Sequence, residues 1–85
     1  MKITTQISLD DVLDNFERLW TIVHMKDGRI LNLYIVDVDD EFQRNDEEDE
    51  PELKAIVYNT TGSNSYGNEI AFDDIDSIEL DLDKN

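Results

Sequence analysis

The chain has 85 residues, 22 of them Asp or Glu and 7 Lys or Arg, which leaves a net charge of −15, and it has no cysteine. That length suits one small domain over residues 1–85, and the missing thiols exclude disulfide frameworks, thiolate metal sites and cysteine nucleophiles. The negative surplus opposes direct contact with DNA, RNA or an anionic membrane, and apolar runs of at most four residues, such as 33–36, are too short to cross a bilayer.

The first six residues lack the apolar core of a signal peptide, so a cytoplasmic protein is expected. Beyond them, Leu9, Val12, Leu13, Phe16, Leu19 and Trp20 fall at helical spacing, with Asp10, Asp11, Asp14, Asn15, Glu17 and Arg18 on the opposite face. A helix over residues 9–18 is predicted. Ser8 is its N-cap, Asp11 stands at the capping-box position, and Ile7 with Val12 can form a hydrophobic staple. Asp10 and Asp11 suit the positive end of the helix dipole, and Asp14 with Arg18 form an i,i+4 pair.

From residue 20 the pattern becomes that of strands. Residues 20–25 and 30–38 are β-branched, apolar and aromatic, and Lys26-Asp27-Gly28-Arg29 between them predicts a hairpin with a type I′ turn. Leu31, Leu33 and Ile35 alternate, and the alternation then shifts to Val36 and Val38, which predicts a bulge near Ile35. Residues 39–52 hold acids in near succession and one proline, Pro51, so they read as a flexible acidic loop. Strands resume at 53–58, followed by a polar turn over 59–68 with Gly62 and Gly67. A strand at 69–72, a tight turn at 73–76 and a strand at 77–82 with Ile78, Leu80 and Leu82 inward complete the chain. The tail 83–85 is expected to fray.

The fold class is therefore mainly β (α+β): an N-terminal helix and five antiparallel strands. A sheet of that length must bend to bury one face, and a small SH3-like or Sm-like barrel is the simplest closure. With three segments, the chain resembles small Sm-like barrel proteins of the Rho-binding antiterminator type. They are Asp10-Asp11-Val12-Leu13-Asp14-Asn15-Phe16-Glu17, Met25-Lys26-Asp27-Gly28-Arg29-Ile30-Leu31 and Ile70-Ala71-Phe72-Asp73-Asp74-Ile75-Asp76-Ser77-Ile78. The resemblance implies an acidic, non-enzymatic protein that binds the transcription terminator Rho and blocks its RNA contacts. Residues 39–52 are an insertion relative to that pattern, and no site residue is carried over from it.

Catalytic and metal constellations are poor. Asp37, Asp39, Glu41 and Glu48 match calcium-loop positions 1, 3, 5 and 12, yet position 6, which needs glycine, is Phe42. His24 stands alone in a strand and reads as structural. No serine lies in a Gly-x-Ser-x-Gly elbow, and the stretch 62–67 lacks the lysine and helix of a phosphate loop. The carboxylates lie in solvated runs, without the apolar pocket that raises a catalytic pKa. No enzyme, metal or cofactor is expected. Trp20 and Tyr34 are either core or anchors for a partner, and Trp20's place on the helical stripe favours core.

The charge remains. Residues 37–52 hold ten acids and one base, against five acids and four bases in residues 1–36. The expected partner-binding set is Asp37, Asp39, Asp40, Glu41, Asp46, Glu47, Glu48, Asp49, Glu50 and Glu52, joined by Asp73, Asp74 and Asp76. Such a strip can occupy a groove of Lys and Arg built for phosphates, which are spaced about 1.7 Å apart along the duplex axis. The expectation is a non-enzymatic nucleic-acid mimic that inhibits a basic, nucleic-acid-binding protein, such as a phage or mobile-element inhibitor of a CRISPR or restriction nuclease. The alternatives are a Rho-binding antiterminator-like transcription regulator and an acidic interaction module of unassigned role, beside the bland reading of a solvated acidic face that keeps a small protein soluble.

Overall fold

The computed structural model describes residues 1–45 and 49–85. Its elements run α1 (Leu9–Phe16), β1 (Leu19–Met25), β2 (Ile30–Phe42), β3 (Leu53–Asn59), β4 (Asn68–Ala71), a 3-10 turn η1 (Phe72–Asp74) and β5 (Ile75–Leu80). One helix followed by a five-stranded antiparallel sheet is the expected α+β arrangement.

Ser8 caps α1, its Oγ accepting from the Asp10 N–H at 3.1 Å, so the capping bond goes to the second helical residue and not to Asp11. Val12 and Phe16 are buried. The helix stops two residues before the expected end. Arg18 adopts φ 58° and its N–H donates to the Ile35 carbonyl at 2.7 Å. A left-handed arginine costs about 1–2 kcal/mol, which that bond helps to offset. The reversal delivers Leu19 opposite Ile35 and Trp20 opposite Tyr34, so both belong to β1 and not to the helical stripe. Arg18 has left the helix, and the Asp14–Arg18 pair does not form among the described residues.

The β1–β2 turn differs from type I′. The Gly28 N–H donates to Met25 O at 3.0 Å, the Met25 N–H donates to Arg29 O at 2.8 Å, and only Gly28 has positive φ, at 95°. Lys26-Asp27-Gly28 is thus a three-residue loop closed by a left-handed glycine. The Asp27 carboxylate accepts from the Arg29 N–H and Nε–H at 3.0 and 2.8 Å, which favours this geometry.

The bulge near Ile35 is present: pairing with β3 jumps from Ile35↔Tyr58 to Asp37↔Val57. β2 then continues through Phe42, with Asp39 opposite Ala55 and Phe42 opposite Leu53. Residues 39–42 are therefore strand and not the start of the loop. The ladder to β3 satisfies their backbone, while their charged side chains remain at the surface. Residues 30–35 of β2 pair with β1 and residues 34–42 pair with β3, so only Tyr34 and Ile35 are paired on both sides.

The strand order is β4-β3-β2-β1-β5, and β4 and β5 do not pair, so the expected barrel is not closed. The outer edge of β5 is instead occupied by residues 1–3. Lys2 bridges Ser77, Met1 and Ile78 exchange hydrogen bonds, and the Ile3 N–H donates to Asp76 O at 2.9 Å. A register shift opposite Met25 turns both Ile75 and Ile78 inward. Leu80 and Leu82, expected inward, are 39% and 80% exposed. Val12 and Phe16 of the helix join Val23, Leu33, Ile35, Ile56, Phe72, Ile75 and Ile78 in one core.

Candidate functional site

Trp20 lies on the sheet face opposite this core. Its ring packs against Tyr34, with centroids 5.5 Å apart, and the Lys84 ammonium sits 4.1 Å above it. Tyr34 is nearly covered, and its hydroxyl donates to Asn64 Oδ1 at 2.6 Å. The two rings form a second, smaller cluster under the 59–68 turn and the C-terminal tail. They belong neither to the main core nor to a bare surface. The tail is held rather than frayed: Asn85 Oδ1 accepts from the Trp20 N–H, and Asn85 Nδ2 donates to Trp20 O, both at 2.8 Å. That side-chain amide continues the β1 ladder where β5 has ended.

The turn over 59–68 is organised by Asn59, which is only 3% exposed. Its Nδ2 donates to Ser63 O at 2.7 Å and Tyr66 O at 2.9 Å, and its Oδ1 accepts from the N–H groups of Thr61 and Gly62 at 3.1 and 2.8 Å. The side chain thereby acts as a backbone surrogate for a loop whose own groups cannot pair.

The acidic set falls into three groups. Asp37, Asp40 and Glu41 are exposed along the second half of β2, while Asp39 is half-buried there. Two of these carboxylates also hold the strand: Asp37 Oδ1 accepts from the Val38 N–H at 2.8 Å, and Asp39 Oδ1 from the Glu41 N–H at 2.9 Å. The second group lies at the return of the loop. Glu50 O accepts from Gln43 Nε2 at 2.7 Å and Glu50 Oε2 from the Asn45 N–H at 3.0 Å, with Asp49 and Glu52 exposed nearby in sequence. Asp46, Glu47 and Glu48 lie outside the described residues. The third group is Asp73, Asp74 and Asp76. Arg44 engages Asp74 at 3.2 Å, and Lys2 engages Asp76 at 3.1 Å, so two of these three carry a cation already. The Arg44–Asp74 pair also ties the end of β2 to η1.

Sequence reading missed Glu69. On one face of the sheet Asp37, Val57 and Glu69 form a row, next to a row of Asp39, Ala55 and Ala71. Alanine at 55 leaves room for the Asp39 and Glu69 carboxyls to meet across β3. Burial raises the Glu69 pKa first, and the hydrogen bond and charge of Asp39 raise it further. Asp27 moves the other way. The Arg29 N–H, the largest cause, holds its pKa below the usual value.

Among the described residues no ion pair reaches Asp37, Asp39, Asp40 or Glu41. Arg29 pairs with Asp27, Lys54 donates to the Thr5 and Ile7 carbonyls, and Lys84 covers Trp20. Arg44, the one base in residues 37–52, is committed to Asp74. His24 lies 3.7 Å from Glu79. Among the described residues no three His, Asp or Glu converge to hold a metal ion. Asp37, Asp39 and Glu41 occupy an extended strand and cannot wrap a calcium ion. No family model, curated protein or solved structure matches the chain. The surface is thus a strip of carboxylate acceptors, suited to charge-assisted hydrogen bonds from Lys and Arg.

Proposed function

We propose that this protein is a non-enzymatic inhibitor that occupies the basic groove of a nucleic-acid-binding protein. One observation carries the reading: ten acids in residues 37–52 face a single base, and that base is consumed by Asp74. The carboxylates of β2 sit on a strand that rises about 3.3 Å per residue with side chains alternating between faces, so Asp37 and Asp39 stand about 6.6 Å apart, near the spacing of every second phosphate of one nucleic-acid strand. Binding by such a strip releases counterions from both partners, as phosphate binding does. A nuclease of the CRISPR or restriction type, opposed by a phage or mobile-element protein, is the partner class this chemistry fits.

The test is capture from a bacterial lysate at low salt with elution on a salt ramp, followed by affinity measurement against the recovered protein. Affinity should fall steeply between about 50 and 500 mM salt, across which the Debye length shrinks severalfold. Competing DNA or RNA should displace the protein. Neutralising Asp40, Glu41, Asp49 and Glu52 together to Asn or Gln should weaken binding far more than any one change. Recovery of Rho would redirect the reading to antitermination. A flat salt response, with the four-site variant binding as well as wild type, would end it.

A further inference from the structure

β1 runs farther than the strand that covers its outer side. β5 ends at Leu80, opposite Thr21, so Trp20 lies past its end. The Trp20 N–H and C=O are taken by the tail instead. Asn85 Oδ1 accepts from the N–H at 2.8 Å, while Asn85 Nδ2 at 2.8 Å and the Asp81 N–H at 3.1 Å donate to the C=O. The Lys84 ammonium sits over the indole.

This tail is lightly held. Residues 82–85 are all exposed and bury no apolar side chain. Apart from the contacts with Trp20, the hydrogen bonds of residues 83–85 run back to Asp81, within the tail itself. A segment with exposed hydrogen bonds and few apolar contacts opens at low cost. The surroundings of Trp20 are also rich in bare apolar surface. Of the five large apolar side chains exposed among the described residues, Tyr66, Leu80 and Leu82 belong to the 59–68 turn and to the end of β5 with its tail, the two stretches that border Trp20 and Tyr34. Aromatic and apolar groups within a polar rim are the make-up of a protein interface.

We infer that the Trp20 surface is a docking site for an extended basic segment of the partner, and that residues 83–85 stand in for that segment in the free protein. Asn85 presents a donor and an acceptor side by side, as a strand residue does to its antiparallel neighbour. A partner residue that exchanges both bonds with Trp20 sets its side chain on the same face, beside the indole. Lys84 shows which charge the ring accepts there: the residue is a Lys or Arg, drawn to the ring face. The net charge of −15 attracts such a segment further. The inference takes from the proposed function only that the partner is basic, and no residue of the acidic strip enters it.

The probe is the peptide acetyl-Thr-Thr-Arg-Thr-Thr-amide, titrated into the full chain. Its single charge keeps attraction to the strip small, and the emission of Trp20, the sole tryptophan, reports on the site. Two control peptides carry citrulline in place of the arginine, or a methyl group on the arginine backbone nitrogen. The arginine peptide should bind with a change in Trp20 emission, and both controls should bind at least about threefold more weakly. Replacing the stand-in, with Lys84→Gln and Asn85→Ala together, should tighten binding about tenfold, because the site is then vacant in every molecule. Asn85→Ala alone, which removes no charge, should tighten it about threefold. Lys26→Gln, at an exposed residue of the hairpin, makes the same charge change as Lys84→Gln and should leave affinity as it is. Binding no tighter in the tail variants, an equal gain from Lys26→Gln, or equal affinity for all three peptides would overturn the inference. The Asp40, Glu41, Asp49 and Glu52 four-site variant separates it from the groove reading. If that variant loses the peptide while the tail changes do nothing, the strip is the site and the Trp20 inference falls. If it binds the peptide as wild type does and still gains from the tail changes, the Trp20 site stands, even where a flat salt response has ended the groove reading.

Discussion

Replacing Asn59 by alanine isolates the contribution of one side chain to the 59–68 turn. Four backbone groups lose their partner: the carbonyls of Ser63 and Tyr66 and the N–H groups of Thr61 and Gly62. Each such hydrogen bond contributes about 0.5–1.5 kcal/mol net. Water can reach part of this turn, since Thr61 and Tyr66 are exposed, so the loss should fall in the lower half of the summed range, about 2–4 kcal/mol. Asn59→Asp is the sharper variant. It keeps the acceptor but faces a carboxylate toward two carbonyls at a buried position. Its folded-state pKa should be raised, so its penalty should be largest at neutral pH and shrink as the pH falls through that value. Urea unfolding followed by tryptophan fluorescence measures both, because Trp20 is the sole tryptophan and a Cβ at Gly62 would lie 3.4 Å from its ring. A loss under about 0.5 kcal/mol for Asn59→Ala, below the value of one ordinary hydrogen bond, would refute the reasoning.

Glu69→Gln should raise the melting temperature at neutral pH. The raised pKa means that the ionised carboxylate costs the folded state, a cost absent at acid pH and incurred as pH rises through the folded pKa, so the gain should vanish at about pH 4; equal melting of variant and wild type at neutral pH would refute it. Gly67→Ala should destabilise by about 1–3 kcal/mol in thermal melts, because the added Cβ would meet Tyr58 O at 2.8 Å and Val57 Cγ1 at 2.7 Å. Phe16→Ala should cost about 3–5 kcal/mol in urea unfolding, since this ring is the end of the helical stripe that enters the core.

The elements legible in the sequence are those set by near neighbours. Val12 and Phe16 at helical spacing, Ser8 as cap and the phase slip after Ile35 are local patterns, and each has its counterpart in the fold. The misplaced features depend on partners far along the chain. Leu19 and Trp20 fit a helical stripe until Ile35 and Tyr34 claim them for a ladder. Leu80 and Leu82 alternate with Ile78, yet the register shift opposite Met25 selects Ile75 and Ile78 for the core. The acidic strip was visible by composition. The Asp39–Glu69 contact was not, because it requires two strands to flank Ala55, thirty residues from one end of the pair to the other. Asn59 does leave a trace: Asn-Thr-Thr-Gly carries the signature of a side chain that bonds its own turn.

The two-residue overlap in β2 bears on how the molecule comes apart. Tyr34 and Ile35 are the only positions of β2 that have a partner in both of its ladders, so the sheet is in effect two ribbons sharing one short seam. One ribbon is β5-β1 with the first half of β2; the other is β4-β3 with the second half. Neither ribbon's pairing depends on the other beyond that seam, and what couples them is side-chain packing, with Ile35 fully buried where they meet. Cooperative unfolding of the whole chain therefore rests on the core around Ile35. Loosening that core would let the β3–β4 ribbon open as a unit of its own while β1 and β5 stay paired.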